Sequence, residues 1–136
     1  MIELLVVIAI IGILSAVVLA SLNTARSKGN DAAIQSDLQT VQTQAEIYYG
    51  DNSNTYSGSS VTACTTAGSL FTDAGVIQKT YTSILGIEGN TAANVACYAA
   101  TSAYSMAAKL STGSWWCVDN TGFAGTRATA PTTTGC

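Results

Sequence analysis

The chain has 136 residues, of which 48% are apolar and only 10% charged, with a formal net charge of −3. A typical soluble domain carries about 25% charged residues, and an acidic balance excludes nucleic acid as the expected primary partner, because phosphate binding rests on clustered Lys and Arg. There is no His, which removes the commonest general base, metal ligand and nucleophile activator, so neither an enzyme nor a cofactor is expected.

The hydropathy is uneven from the first residue. Residues 1–22 (MIELLVVIAIIGILSAVVLASL) are almost wholly apolar, and Glu3 is the only charge among them. As a helix they span about 33 Å, enough to cross a bilayer core. A cleaved secretory signal would need a basic start, a shorter apolar core and a small-residue cleavage site. Here no basic residue precedes the run, and Arg26 and Lys28 follow it. By the positive-inside rule that pair favours a cytoplasmic C-terminal flank, though two charges carry little weight.

The helical pattern continues beyond the apolar run. Ile34, Leu38, Val41, Ala45 and Tyr48 recur at spacings of four and three, and Gln35, Asp37, Gln39, Gln42, Thr43 and Glu46 lie opposite. No Pro interrupts residues 1–49, and Gly12 and Gly29 are the weak points. The spacing therefore predicts one helix of about 74 Å, apolar all round in its first half and striped in its second. Gly50 is the expected left-handed residue after it. A helix of that length exceeds a compact domain of this size, so its front must project.

Residues 51–60 (DNSNTYSGSS) read as a loop. Phe71, Val76, Ile77, Tyr81, Ile84 and Leu85 predict a short helix or two, broken by Gly86-Ile-Glu-Gly-Asn90. Three strand-like runs follow at 94–100, 104–110 and 115–119, and their short joins imply an antiparallel meander. On the second run Tyr104, Met106, Ala108 and Leu110 share one face and Ser105 and Lys109 the other, which predicts one buried and one wet face. The buried face can take the helical stripe. Residues 121–136 read as an irregular Gly/Thr-rich tail.

Four Cys allow three pairings. In the meander, the second strand separates Cys97 from Cys117 by about 9–10 Å, beyond disulfide reach. That leaves Cys64–Cys97 with Cys117–Cys136, or the crossed pairing; the first closes two local loops and is the expected one. A zinc site wants short C-x2-C spacings, which are missing. Asp119-Asn120 reads as a turn rather than a calcium ligand pair. Tyr48, Tyr49, Tyr98, Trp115 and Trp116 read as core or subunit contacts rather than a stacking path.

The segment IELLVVIAIIGILSAVVLASLNTARSK resembles the N-terminal signature of type IV pilins and pseudopilins. The helix ending in a Tyr pair, the small sheet and the Cys-closed C-terminal loop resemble the family in layout, as does MAAKLSTGSWWCVDNTG (106–122). The resemblance implies an α+β fold: a long N-terminal helix, its apolar half projecting, packed by its second half on an antiparallel sheet of three or more strands. Residues 1–23 would form the membrane and filament-core helix, and 24–136 the head. It also implies a basic leader removed by a prepilin peptidase and a methylated N-terminus. Because relatives carry two further residues ahead of the Met-Ile-Glu run, a leader and about two mature residues are expected to precede Met1. Many relatives have Pro where Ala20 stands.

By the same resemblance Glu3 is the register residue. A carboxylate in an apolar segment costs about 2.5–3.5 kcal/mol at the bilayer centre, less near an end. A neighbouring subunit's α-amine would offset that cost and fix axial position rather than add stability. The alternative is a Glu at the membrane interface favouring the positive end of the helix dipole. Filament-core packing falls to Leu4, Leu5, Val6, Val7, Ile8, Ile10 and Ile11, then Gly12, Ile13, Leu14, Val17, Val18 and Leu19. Gly12 and Ser15 form a small-residue notch for close helix approach. The expected function is a structural subunit, held in the inner membrane and then polymerised into an extracellular pilus for adhesion, motility or DNA uptake. Its partners would be further copies of itself, the assembly machinery and the peptidase. The alternatives are a pseudopilin of a secretion or competence machine, and a membrane-anchored adhesive module.

Overall fold

The first helix, α1 (Ile2–Asp51), runs unbroken because no Pro enters it and its two interior Gly cost only about 1 kcal/mol each. The computed structural model describes residues 1–73, 75–87 and 89–136. At 1.5 Å per residue α1 is about 75 Å long. Burial along it begins with half-covered Ser27, Asn30 and Asp31, and only Ile34, Leu38, Val41 and Ala45 are fully buried. That spacing keeps one stripe turned inward, and each of Ile34, Leu38 and Val41 gains about 1.5–3 kcal/mol from leaving water.

The end of α1 differs from the expectation. Gly50 stays helical; Asn52 caps the helix by donating both its backbone N–H (3.0 Å) and its Nδ2 (2.9 Å) to the Tyr48 carbonyl. The left-handed residues are Ser53 (φ 58°) and Asn54 (φ 57°), short polar side chains that tolerate this region better than most. The following segment crosses the head and returns through a 3-10 turn at Leu70–Thr72. The second helix, α2 (Val76–Gly86), packs beside α1 and buries Ile77, Thr80, Tyr81 and Ile84. Of the expected break after it, Glu88 lies outside the described residues; Ile87 donates back to the Ile84 carbonyl and Gly89 takes φ 83°.

The sheet is an antiparallel meander in the order β1 (Val95–Ala99), β2 (Tyr104–Lys109), β3 (Trp115–Asp119), β4 (Ala124–Arg127). The fold is thus α+β, with four strands and the second half of α1 against them. The tail read as irregular contributes β4: Gly125 and Thr126 gave no apolar alternation, yet the strand forms by pairing Cys117 with Gly125 and Val118 with Ala124. The free edge of β1 is partly covered by Val61, which exchanges backbone bonds of 2.8 and 3.1 Å with Ala99, a standard way to blunt an exposed edge.

The outer face of β2 is a second correction. Ser105 and Ala107 are as completely buried as Tyr104, Met106 and Ala108 on the inner face. The C-terminal tail covers them. Ser105 Oγ donates to the Thr133 carbonyl at 2.7 Å, Pro131 is buried, and Cys117 is bridged to Cys136. Only Lys109 remains exposed on the strand.

Candidate functional site

The projecting half of α1 is apolar on every side and covered on none. Leu4, Leu5, Val6, Val7, Ile8, Ile10 and Ile11 are each 51–69% exposed, and Ile13, Leu14, Val17, Val18 and Leu19 each 59–66%. A Cβ at Gly12 would meet nothing within 4 Å, so its notch with Ser15 is open in the single subunit. Glu3 lies in the first helical turn, about 36 Å from where the helix enters the head at Ser27. By length and composition α1 can cross a membrane, with no part of its most apolar stretch buried in the molecule. An unbroken apolar surface of this size on a monomer marks a lipid or protein contact.

Three polar contacts fix the other half of α1 in the head. At the neck, Asp31 accepts from the Ser111 N–H (2.8 Å) and hydroxyl (2.7 Å), pinning the β2–β3 turn to the helix. Midway, Gln42 Nε2 donates to the carbonyls of Asp119 and Phe123, both at 3.2 Å. Near the far end, Tyr56 donates its hydroxyl to Glu46 Oε1 at 2.7 Å. None of the three was read from the sequence: the partners of Asp31 and Gln42 lie some eighty residues away, and Glu46 meets Tyr56 only because the loop after α1 folds back. Because α1 is one continuous helix through both, these contacts and the buried stripe together hold the projecting half to the head.

The bridges lie on opposite faces of the sheet. Cys97 pairs with Met106 on the inner face, and its bridge to Cys64 is part of the core. Cys117 pairs with Ala107 on the outer face and is bridged to Cys136. Cys97 and Cys117 are therefore separated both by β2 and by the thickness of the sheet.

Asp119 anchors the same tail. Burial acts to raise its pKa. Stronger in sum are the bonds it accepts from Thr121 Oγ1 (2.6 Å), the Cys136 N–H (2.9 Å), the Thr121 N–H (2.8 Å) and the Phe123 N–H (3.3 Å), so its carboxyl sits below the usual range. These donors come from the chain itself, and the residue acts as a turn and tail staple. Among the described residues no group of three His, Cys, Asp or Glu stands close enough to hold a metal.

The aromatic residues cluster differently from the sequence list. Tyr49, Tyr56 and Tyr104 stack with ring centroids 4.5 and 4.9 Å apart, joining helix, loop and sheet. Tyr48 and Trp116 lean on the core, while Tyr98 and Trp115 are half-exposed. Burial pushes the Tyr56 and Tyr104 hydroxyls well above the ordinary tyrosine pKa, with the bond to Glu46 adding to the shift at Tyr56.

No family model, curated protein or solved structure matches the chain. Its functional reading therefore rests on the arrangement itself: a long apolar N-terminal helix, half bare, rooted in a disulfide-closed antiparallel head.

Proposed function

We propose that the protein is a pilin-like structural subunit that waits in a membrane by the bare half of α1 and then polymerises, that half passing into the core of a filament. One observation carries the reading: residues 2–22 are uncovered on all sides, while the same helix is held in the head by its second half. A plain membrane anchor needs no rigid continuation into a folded head. A filament subunit does, because the angle between core helix and head must be the same in every copy.

The energetics favour reversible transfer. A bundle of copies would bury the apolar half-helix much as lipid does, so the two states differ little and machinery can drive the exchange in either direction. Glu3 is then the residue that resists random axial positions. Paired with the α-amine of a neighbouring copy it sets register, while contributing little net stability. The two bridges support a head in an oxidising compartment outside the cytoplasm.

Electron microscopy of cells producing the chain, with mass spectrometry of sheared surface material, tests the reading. Filaments composed of this chain are expected. Retention of all the chain in the membrane, without filaments, would contradict it. Glu3→Ala is expected to leave the head folded and membrane-inserted while cutting filament yield severely; unchanged yield would remove the register role.

A further inference from the structure

The charges of the head are sorted along α1. The neck end is located by Asp31 bonding to Ser111 and by a cleft of about 440 Å³ that Ser27 and Asn30 of α1 share with Lys109. Lys109 lies directly across from Trp115, and Trp115 directly across from Arg127, so the three form a row over β2, β3 and β4 on the outer face. Lys109 and Arg127 are exposed and Trp115 half-buried between them. Lys28 is exposed on α1 at the same end. Asp31, which lines the same cleft as Lys109, is already engaged by Ser111.

The far end has the opposite sign. Asp51 is the last residue of α1, and Asp73 acts electrostatically on Tyr48 one turn before it; both carboxylates are exposed. Lys79, in the first turn of α2, partly offsets them. Along α1 the two ends of the head lie about 35 Å apart. Arg26 also lies on α1 two residues before Lys28, so of the chain's five Lys and Arg only Lys79 lies away from the neck end.

We propose that the Lys28, Lys109 and Arg127 end of one head seats on the Asp51 and Asp73 end of another copy's head, with Trp115 giving the contact its apolar centre. The proposal rests on the filament reading and adds the head-to-head contact to it. The geometry selects a second copy as the occupant. Each bare half-helix extends about 37 Å below its own neck, and a copy packed alongside it with the same polarity, displaced along the axis by the ~35 Å length of the head, presents its far end to that neck. The two patches differ, so the contact is heterologous and propagates rather than closing into a dimer. Exposed pairs of this kind contribute modest affinity, but they steer approach and reject wrong registers.

Carbodiimide coupling of intact sheared filaments tests this. The reagent joins a lysine Nζ to a carboxylate as an amide with loss of one water, and only where the two groups touch. Links from Lys28 or Lys109 to Asp51 or Asp73 are expected, and the distance within one chain makes such links intermolecular. Filaments whose neck lysines couple elsewhere, or not at all, would overturn the contact and leave the filament reading standing. A wild-type chain that forms no filaments overturns both. In parallel, Lys109→Glu with Arg127→Glu should lower filament yield at least about tenfold, since like charges then face each other. Adding Asp51→Lys and Asp73→Lys to the same chain should restore it, with both bridges formed in every variant. Wild-type yield from the first pair, or no recovery from the four-fold variant, counts against the contact.

Discussion

Two buried polar residues in the head behave oppositely because one is fully partnered and the other is not. Asp119 accepts four hydrogen bonds. Asp119→Asn keeps the shape but loses the charge that strengthens them, at a cost of about 1.5–3 kcal/mol. Its folded pKa lies below its unfolded value, so the stability it contributes is complete above about pH 4, the unfolded carboxylate value, and is lost as pH falls through the folded pKa. Thermal melts from pH 6 down to pH 2 should show a drop for the wild type below pH 4 that is smaller in the Asn variant. Tyr104 has a buried hydroxyl with no protein partner among the described residues, whereas the Tyr56 hydroxyl bonds to Glu46. Tyr104→Phe should thus leave stability within about 0.5 kcal/mol of wild type, and Tyr56→Phe should lower it by about 1 kcal/mol. Equal losses from both would show that Tyr104 has a bond the geometry does not reveal. Both tyrosines have raised pKa values, so their stabilisation holds below about pH 10 and fades as pH rises above it.

The elements divide between those whose periodicity survives alone and those defined by partners. The stripe of Ile34, Leu38, Val41 and Ala45 was legible because four large or small apolar residues repeat at helical spacing, and the structure buries those four. The strands at 95–99, 104–109 and 115–119 were legible from alternation and short joins. By contrast β4 was not, because Gly and Thr carry no face of their own and the strand exists only through β3. The outer face of β2 misled for a related reason: Ser105 reads as wet until the tail, drawn back by Cys136, is laid over it. The bare half-helix was legible from hydropathy alone, but Asp31 and Gln42 as fasteners were not, since their partners lie far along the chain. Leu38→Ala should cost about 2–5 kcal/mol, because the side chain is fully enclosed. Replacing Cys117 and Cys136 by Ser should cost about 3 kcal/mol on the loop-entropy argument and expose Ser105 and Ala107, read as faster amide exchange on β2. Deleting residues 1–23 should give a soluble monomer, and cutting past Val41 an aggregate, because the second cut removes the stripe that covers the sheet. A monomeric shorter fragment with an unchanged melting temperature would contradict the packing of α1 on the sheet.

At the scale of the whole molecule the central feature is a single rod with two environments. One half is sealed into a head stapled on both faces of its sheet. The other half has no surface that water solvates well, and α1 runs unbroken from it into the head. Lipid or a bundle of identical helices can cover it, and under the proposed filament reading only the bundle makes use of the continuous helix, of Glu3 and of the charges of the head. Helical reconstruction of sheared filaments is the measurement that bears on this most directly. Residues 2–22 of α1 are expected in the filament centre, packed against the same segment of other copies, with the heads outside and Glu3 beside a neighbour's N-terminus. Filaments built through the heads with residues 2–22 on the outside, or a chain that remains a lone membrane anchor with no filament to reconstruct, would contradict the filament reading.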